Sequence, residues 1–322
     1  MTLGPNRAPL GLSSRGSTPR TNLPLPRGKP VGGAFRAAAG PHPAGEERFL
    51  LDNHRAFFQK HTMLYEAANT HRPHSLAYSW SAWPQKGTAL PVDLPGPTRS
   101  DLGSAWRKDG MELQSLKLES TGVLATFRVD PTVSPVFCAG RAKGRLQHAL
   151  RSAGNPCAFS RKVSVRALGH NITSAVVHYV RDQLAHVDLA DPRYRDELGR
   201  SAFEELSVDL NQPVELRRSR YWYGLHLVLV TAERYRMGGD AFLPRLRDAL
   251  ADAVHRTGSQ LRSIAIMPDH VHLAMKGDPE RSPLEIGLAV QNDSAKAAGF
   301  RLWQDSFYMG SFCAYDLSAI RG

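Results

Sequence analysis

The sequence contains few cysteines and no long apolar segment. Its three cysteines, Cys138, Cys157 and Cys313, have a spacing that matches no zinc site, and their odd number argues against a disulfide framework. No run of eighteen apolar residues occurs, so a membrane span is not expected. The N-terminus also lacks the apolar core of a signal peptide. A cytoplasmic protein fits these absences best.

Acidic residues are scarce relative to basic ones. The chain has 41 Lys and Arg against 30 Asp and Glu, a formal net charge of +11. A basic protein of this size favours a polyanionic partner, with nucleic acid the first candidate and a nucleoid-associated location the consequence. Colloidal solubility is the alternative explanation of the charge.

The scarcity of acidic residues is greatest in residues 1–47, which hold eight prolines and no acidic residue before Glu46. A disordered basic arm is predicted there, either contacting DNA or only solubilising the chain.

The remainder is long enough for two domains and reads as two similar halves. The segment Asp130–Pro135 has the pattern Asp-Pro-x-x-Ser-Pro, and Asp278–Pro283 repeats it. Both follow a predicted strand and open a predicted helix, which the Ser-Pro start favours. Because the order of elements also matches, we expect a duplicated βαββαβ-helix unit.

Hydrophobic periodicity and turn residues give the expected elements. Strands are predicted at 74–84, 111–119, 123–129, 160–168, 221–232, 261–267, 271–276 and 307–314. Helices are predicted at 48–68, 99–110, 134–153, 242–257 and 282–298, with a further helix capped by Asn171 and running to 187, and another opened by Asp316.

The motif Met-Pro-Asp-His-Val-His-Leu at 267–273 is the sharpest chemical signal. Residues two apart on a strand point to the same face, so His270 and His272 present two imidazoles side by side while Val271 faces the core. Two neutral imidazoles at that spacing can hold one divalent metal ion. The alternative is two ordinary polar residues on an exposed strand face.

This motif resembles the HUH motif of the REP-associated tyrosine transposases and the related single-tyrosine transposases of the IS200/605 type. The apolar strand at 221–231 and the later segment from Trp303 to Phe307 are also similar to that family. The resemblance implies an α+β fold of two tandem ferredoxin-like HUH domains, each a mainly antiparallel sheet with helices packed on it, forming a pseudo-dimer. The family nucleophile is a tyrosine on the helix after the last strand, often followed four residues later by a glutamine that binds metal.

Each half departs from the family pattern in a complementary way. The second half ends at Gly322, before the family tyrosine is expected. The first half has Gly122 and Leu124 where the repeat register places the histidines, yet its last helix carries Tyr179 and Gln183 on one face. The implied organisation is a degenerate tyrosine-supplying domain at 48–190, a linker at 191–220 and a metal-site domain at 221–322. The alternative for the tyrosine is a ring that only packs.

The resemblance therefore implies one composite site that cleaves and rejoins single-stranded DNA. Tyr179 is the expected nucleophile, forming a 5′-phosphotyrosine, and Mg²⁺ or Mn²⁺ is the expected cofactor, held by His270, His272 and Gln183. The expected partner is single-stranded or hairpin DNA, and both a homodimer and a monomeric pseudo-dimer are compatible with the sequence. The alternative function is a domesticated, inactive transposase that binds hairpin or terminal DNA.

Several other side chains are weaker candidates. His226, on the apolar first strand of the second half, fits the core or a supporting place near the metal. Most of the five tryptophans are expected in the core, although some could stack on bases. The candidate DNA contacts are basic residues on two helices, Lys143 and Lys296, which solvated helix faces explain nearly as well, and on one strand, Arg161, Lys162 and Arg166.

Overall fold

Two six-stranded mixed sheets and six α-helices make up the part of the chain that the computed structural model describes, residues 65–187, 189–239 and 241–315. The α+β class expected from the sequence is confirmed. No described helix combines the length and the apolar character needed to cross a membrane. The basic arm at 1–47, most of the helix expected at 48–68 and the helix expected after Asp316 lie outside the described residues.

The first sheet contains the predicted elements of the first half, except that the strand predicted at 74–84 is divided and only its part from Ala77 joins this sheet. They are β2 (Ala77–Pro84), α1 (Gly96–Lys108), β3 (Met111–Glu119), β4 (Gly122–Val129), α2 (Pro135–Ser152) and β5 (Phe159–Leu168). The strand order is β3-β4-β2-β5, and every pair in this set is antiparallel. Helices α1 and α2 cover one face, where Trp80, Trp106 and Phe127 are fully buried.

The second sheet repeats this arrangement. Its elements are β9 (Gly224–Thr231), α5 (Phe242–Arg256), β10 (Gln260–Ile266), β11 (His270–Lys276), α6 (Pro283–Ala298) and β12 (Trp303–Phe312). The order β12-β9-β11-β10 is again wholly antiparallel and matches the first sheet strand for strand. Both sets therefore have the ferredoxin-like order, and the mainly antiparallel pairing expected from the sequence is present.

Each sheet is extended by a strand from the opposite half. The short β1 (His74–Ser75) runs parallel to β12, with His74 opposite Met309. In the corresponding place β8 (Ser219–Trp222) runs parallel to β5, with Tyr221 opposite Val165. The prediction of one continuous strand at 221–232 is therefore wrong. The chain passes from one sheet to the other at the buried Tyr223, and the strand of the second sheet begins after it.

The two Asp-Pro-x-x-Ser-Pro segments contact each other. Ser134 and Ser282 cap α2 and α6 through their side chains, and a proline occupies the first turn of each helix, as predicted. The amide of Val136 donates to the carbonyl of Pro279 at 3.1 Å. The amide of Leu284 donates to the carbonyl of Pro131 at 2.9 Å, so the two halves exchange equivalent hydrogen bonds.

The segment at 191–220 contributes structure to both sheets. It contains three short elements: α4 (Pro192–Arg200), β6 (Phe203–Glu204) and β7 (Val214–Leu216). β6 pairs with β10 at the edge of the second sheet, and β7 pairs with β8 at the edge of the first. The described residues from Tyr65 onward thus belong to one compact unit.

Candidate active site

The helix that carries Tyr179 is α3, which spans Thr173–Asp182 and continues into a 3₁₀ turn at Gln183–His186. The predicted cap at Asn171 is wrong, since Ile172 occupies the N-cap position and no side chain caps the helix. Instead the amide of Thr173 donates to the carbonyl of Cys313, 2.8 Å away in the second half. A tertiary contact thus satisfies an amide that a helix start otherwise leaves unpaired.

The α3 helix leaves its own half and packs on the second sheet. Val176 and Val180 are buried against Ala265, Ala274 and Phe312 of β10, β11 and β12. These sheet residues face away from α5 and α6, so α3 covers the opposite face of the sheet. The first half therefore supplies a helix to the second half's sheet.

The two histidines of the His-x-His motif lie under that helix. Val271 between them is fully buried in the core, so His270 and His272 share the opposite face, as predicted. The Tyr179 ring meets the His272 ring edge-on, with centroids 5.5 Å apart, and the His270 and His272 centroids are 4.9 Å apart. The structure therefore brings Tyr179 and both histidines together.

His226 on β9 extends this cluster. Its ring stacks on that of His272 at 5.2 Å, and the His226 Nε2 and His272 Nδ1 atoms form a hydrogen bond of 3.0 Å. Burial lowers the pKa of His226 to about 4, and burial, followed by the neighbouring histidines, lowers the pKa of His272 well below its usual range. Both rings are therefore neutral at pH 7, the form that binds metal. The Nε2 atom of His272 is buried and has no hydrogen-bond partner.

The turn before β11 orients His270. Its Nδ1 lies 2.7 Å from Oδ1 of Asp269, whose other oxygen accepts from Arg234 at 2.8 Å. Burial alone would raise the pKa of Asp269, but the hydrogen bonds with His270 and Arg234 outweigh it and lower that pKa. Two amides hold the turn: Thr231 N donates to the Asp269 carbonyl and Met267 N to the His270 carbonyl. A carboxylate on Nδ1 directs the Nε2 lone pair of His270 outward.

Gln183 is the third expected metal ligand. Its side chain is buried, and its Nε2 donates to the Tyr179 carbonyl at 3.0 Å. That bond leaves the amide oxygen as the atom able to bind a cation. Among the described residues no group of three or more His, Cys, Asp or Glu side chains has the geometry of a metal site. A metal here therefore needs the glutamine, the substrate or water to complete its shell.

Comparison with known proteins agrees with the motif. The family model described as "Transposase IS200 like" matches residues 219–321. Residues 219–321 are therefore similar to the IS200-like transposases. The chain is 26% identical over 116 residues to the ISDra2 transposase TnpA of Deinococcus radiodurans, a match covering 33% of this chain and 83% of that relative.

Two solved structures were also compared with the chain. A Deinococcus radiodurans R1 protein classed as a transposase is 25% identical, covering 27% of this chain and 75% of its own, with a TM-score of 0.25. The regulatory subunit of aspartate kinase from Thermus thermophilus is 12% identical, covering 69% of this chain and 93% of its own, with a TM-score of 0.17.

The first half has no histidine pair at the position that corresponds to the transposase motif. Val123 pairs with Leu118 and Ala82, as Val271 pairs with Ile266 and Leu229 in the second sheet. Val123 and Val271 thus occupy equivalent positions in the two sheets. The residues that precede them, Gly122 and His270, are therefore also equivalent. This agrees with the register expected from the sequence.

The predicted DNA contacts lie in different places. Arg161 and Lys162 are exposed on β5, and Arg166 packs its guanidinium 3.5 Å from the centre of the Trp222 ring. Lys143 donates to the Ser160 carbonyl at 2.7 Å, so its ammonium serves an internal contact. Lys296 is exposed on α6, which covers the sheet face opposite α3. None of the five lies within the cluster around Tyr179, and their DNA-binding role stays a prediction.

Sequence reasoning missed two residues of the site. Tyr308 on β12 lies on the same sheet face, with its ring centroid 6.1 Å from that of His226, and burial followed by the charge of Tyr179 raises its pKa. Arg234, which holds Asp269, follows β9 in an irregular turn. Tyr308 is brought to this face by the pairing of β12 with β9, in which Gly310 lies opposite His226, and no local pattern in the sequence indicates that register.

Proposed function

We propose that this protein is a single-stranded DNA transposase or nickase that cleaves and rejoins DNA through a 5′-phosphotyrosine at a composite site. The observation that carries the proposal is the position of α3. It extends from the first half across the second sheet and sets the Tyr179 ring against His272. The match of residues 219–321 to the IS200-like transposase model supports a DNA-cleaving reaction.

Tyr179 is the proposed nucleophile. Its side chain is only half-buried, so a phosphodiester can reach the hydroxyl. In the reaction the phenolic oxygen loses its proton and bonds to phosphorus while the bond from phosphorus to the 3′ oxygen breaks. The departing oxygen takes up a proton and becomes a free 3′-hydroxyl. Because the phosphotyrosine conserves the energy of the broken bond, the reverse attack by a 3′-hydroxyl rejoins strands.

His270, His272 and Gln183 are the residues proposed to hold Mg²⁺ or Mn²⁺. The buried Nε2 of His272 has no partner, which is the state expected of a ligand atom awaiting a cation. Asp269 fixes the His270 ring in the orientation that a ligand needs. Such an ion would neutralise the charge of the phosphate and polarise it toward attack.

We further propose that the two halves are a tandem duplication that acts as a fused pseudo-dimer. Identical strand orders, matching registers and the reciprocal exchange between Val136–Pro279 and Leu284–Pro131 support this. The first half carries the tyrosine helix and the second carries the histidine pair, so the two halves together would supply one composite site. A pseudo-dimer can carry it within one chain.

The test replaces His270 and His272 with alanine in the full chain. The double variant should form no covalent product with single-stranded hairpin DNA in Mn²⁺, because both rings are proposed to hold the ion that activates the scissile phosphate. It should retain most of its DNA affinity. EDTA should abolish the wild-type product in the same way. A double alanine variant that cleaves at the wild-type rate would refute the proposed site.

A second candidate function is a DNA-binding protein that no longer cuts. The burial of His272 favours it, since a ring that is only 2% exposed leaves a phosphate-bound ion little access. Such a protein would bind hairpin or terminal DNA with unchanged affinity after the double substitution and would form no covalent product even as wild type.

A further inference from the structure

A pocket of about 500 Å³ opens at the edge of the first sheet, away from the cluster around Tyr179. The β7–β8 hairpin forms one wall, and β5 and the end of β2 form the other. The lining includes Trp83 and Lys162 from the sheet and Glu215, Arg217 and Arg218 from the hairpin. Volumes of roughly 300–1,000 Å³ are typical of sites that enclose part of a ligand.

The charge of the pocket is unbalanced. Glu215 is already paired with Arg220 at 2.9 Å, so its carboxylate is neutralised. Lys162, Arg217 and Arg218 are exposed and have no ion pair among the described residues. Three uncompensated cations around one cavity attract a polyanion and can contact successive phosphates.

The turn of the hairpin holds Arg217 in a strained backbone conformation. Arg217 has a φ of +57°, in the left-handed region that costs a residue with a side chain roughly 1–2 kcal/mol. A glycine or asparagine would relieve that cost. An arginine at this position is therefore consistent with a role for its side chain.

An aromatic platform completes the pocket. Trp83 is 43% exposed, whereas Trp80, Trp106 and Trp303 are fully buried. Its indole lies beside Gly122, where an added Cβ would be 3.4 Å from the ring. Gly122, which aligns with His270 of the second half, has no side chain and thus leaves room for an exposed face of the indole.

We propose that this pocket binds an unpaired segment of single-stranded DNA, with one base stacked on Trp83 and the flanking phosphates held by Lys162, Arg217 and Arg218. An exposed indole between cations is the arrangement that proteins use to bind single strands without reading sequence. A base in a duplex has no free face to offer the indole. The site lies on the other sheet from Tyr179 and does not depend on cleavage, so it anchors DNA even in an inactive protein.

The first experiment measures fluorescence anisotropy of labelled dT12 with the full chain in EDTA, which removes any contribution from metal-dependent cleavage. Trp83→Ala should weaken binding by about 5- to 100-fold, as expected for the loss of one stacked base, and Trp83→Phe should recover most of it. Lys162→Gln combined with Arg218→Gln should lower the slope of log affinity against log salt by about 1.4.

Matched controls are available on the helical side of the same sheet. Phe137→Ala removes another exposed aromatic ring, and Lys108→Gln removes another exposed cation. Both should leave the affinity and the salt slope unchanged. Equal losses in the pocket variants and these controls would overturn the proposal, because binding would then follow net charge alone.

A second experiment locates the base directly. dT12 carrying one 5-iodouracil is irradiated with the protein, and the cross-linked peptide is sequenced by mass spectrometry. The expected cross-link is to Trp83, and a twelve-base-pair duplex should compete at least tenfold more weakly than dT12, because its paired bases offer no free face. Cross-links confined to other residues would overturn the proposal, as would competition by the duplex that is less than tenfold weaker.

Discussion

The docking of α3 on the second sheet depends on a small apolar contact, which Val180→Ala weakens. Val180 is fully buried against residues of the second half. The change removes two methylene-sized groups, about 1.6 kcal/mol of transfer free energy. The cavity that remains adds about 1 kcal/mol. A total of about 2.5 kcal/mol corresponds to a roughly 70-fold shift toward the undocked helix.

Native-state hydrogen exchange read by mass spectrometry can detect this shift. Amides of α3 should exchange up to about 70-fold faster in Val180→Ala, while amides of β9 and β11 keep their protection. The matched control is Val290→Ala, an equal truncation of a fully buried valine in α6, on the other face of the sheet. That variant should lower global stability without selective exposure of α3.

Activity supplies the second measurement of the same prediction. If the helix delivers the nucleophile, Val180→Ala should slow covalent product formation more than Val290→Ala does at matched fractions of folded protein. The reasoning is refuted if α3 exchanges no faster in Val180→Ala than in Val290→Ala. It is also refuted if the two variants lose activity equally.

Three further predictions concern the supporting contacts. His226→Leu should weaken Mn²⁺ binding by about 10- to 100-fold in calorimetry while sparing DNA affinity, because the imidazole that orients the proposed ligand His272 is lost. Unchanged metal affinity would show that His226 does not support the site. Gly169→Ala should lower the melting temperature sharply or prevent folding, because the added Cβ would lie 1.9 Å from the Ser311 carbonyl oxygen. The control Gly140→Ala, with open space around it in α2, should be neutral or stabilising. Similar melting temperatures for the two variants would contradict the close approach of Gly169 to Ser311. Asp109→Asn should lower the free energy of unfolding in urea by about 1 kcal/mol at pH 7, since a hydrogen-bonded ion pair with Arg145 lowers the pKa of the Asp109 carboxyl. The difference from wild type should vanish as the pH falls through that lowered pKa. A difference that does not depend on pH would exclude the ion pair.

The regular elements could be predicted because their local signals agree with their tertiary environment. Ser134 and Ser282 cap helices that begin with proline, and both helices are present within a residue of the expected start. The strand at 111–119 and its partner are similarly bounded by Gly110 and Gly122, and both strands appear where expected. Capping and turn residues act over a few positions, so the sequence alone determines them.

The errors arose where distant contacts decide the backbone. The start of α3 is satisfied by the Cys313 carbonyl of the other half, and no local residue signals that bond. The apolar run from Tyr221 continues without a break in sequence, yet Tyr223 marks the passage between two sheets. Apolar periodicity cannot tell which sheet a strand joins, because either sheet buries the same residues.

The candidate site was partly predictable for the same reason. The His-x-His spacing and the resemblance to a family identified His270 and His272, and the repeat register identified Tyr179. The contact between His226 and His272 joins positions 46 apart in the sequence, so only the pairing of β9 with β11 brings it to light. The basic pocket beside Trp83 likewise depends on the β7–β8 hairpin, whose place next to β5 no local pattern indicates.

The most direct test of the composite site is the covalent product of Tyr179→Phe. This change deletes the hydroxyl but keeps the ring that packs against His272. Wild-type protein incubated with single-stranded hairpin DNA and Mn²⁺ should form a protein-DNA species that survives a denaturing gel. The phenylalanine variant should bind the same DNA with equal affinity and form none. A covalent species of undiminished yield in Tyr179→Phe would contradict the account and would direct the search for the nucleophile to Tyr308 and Tyr315.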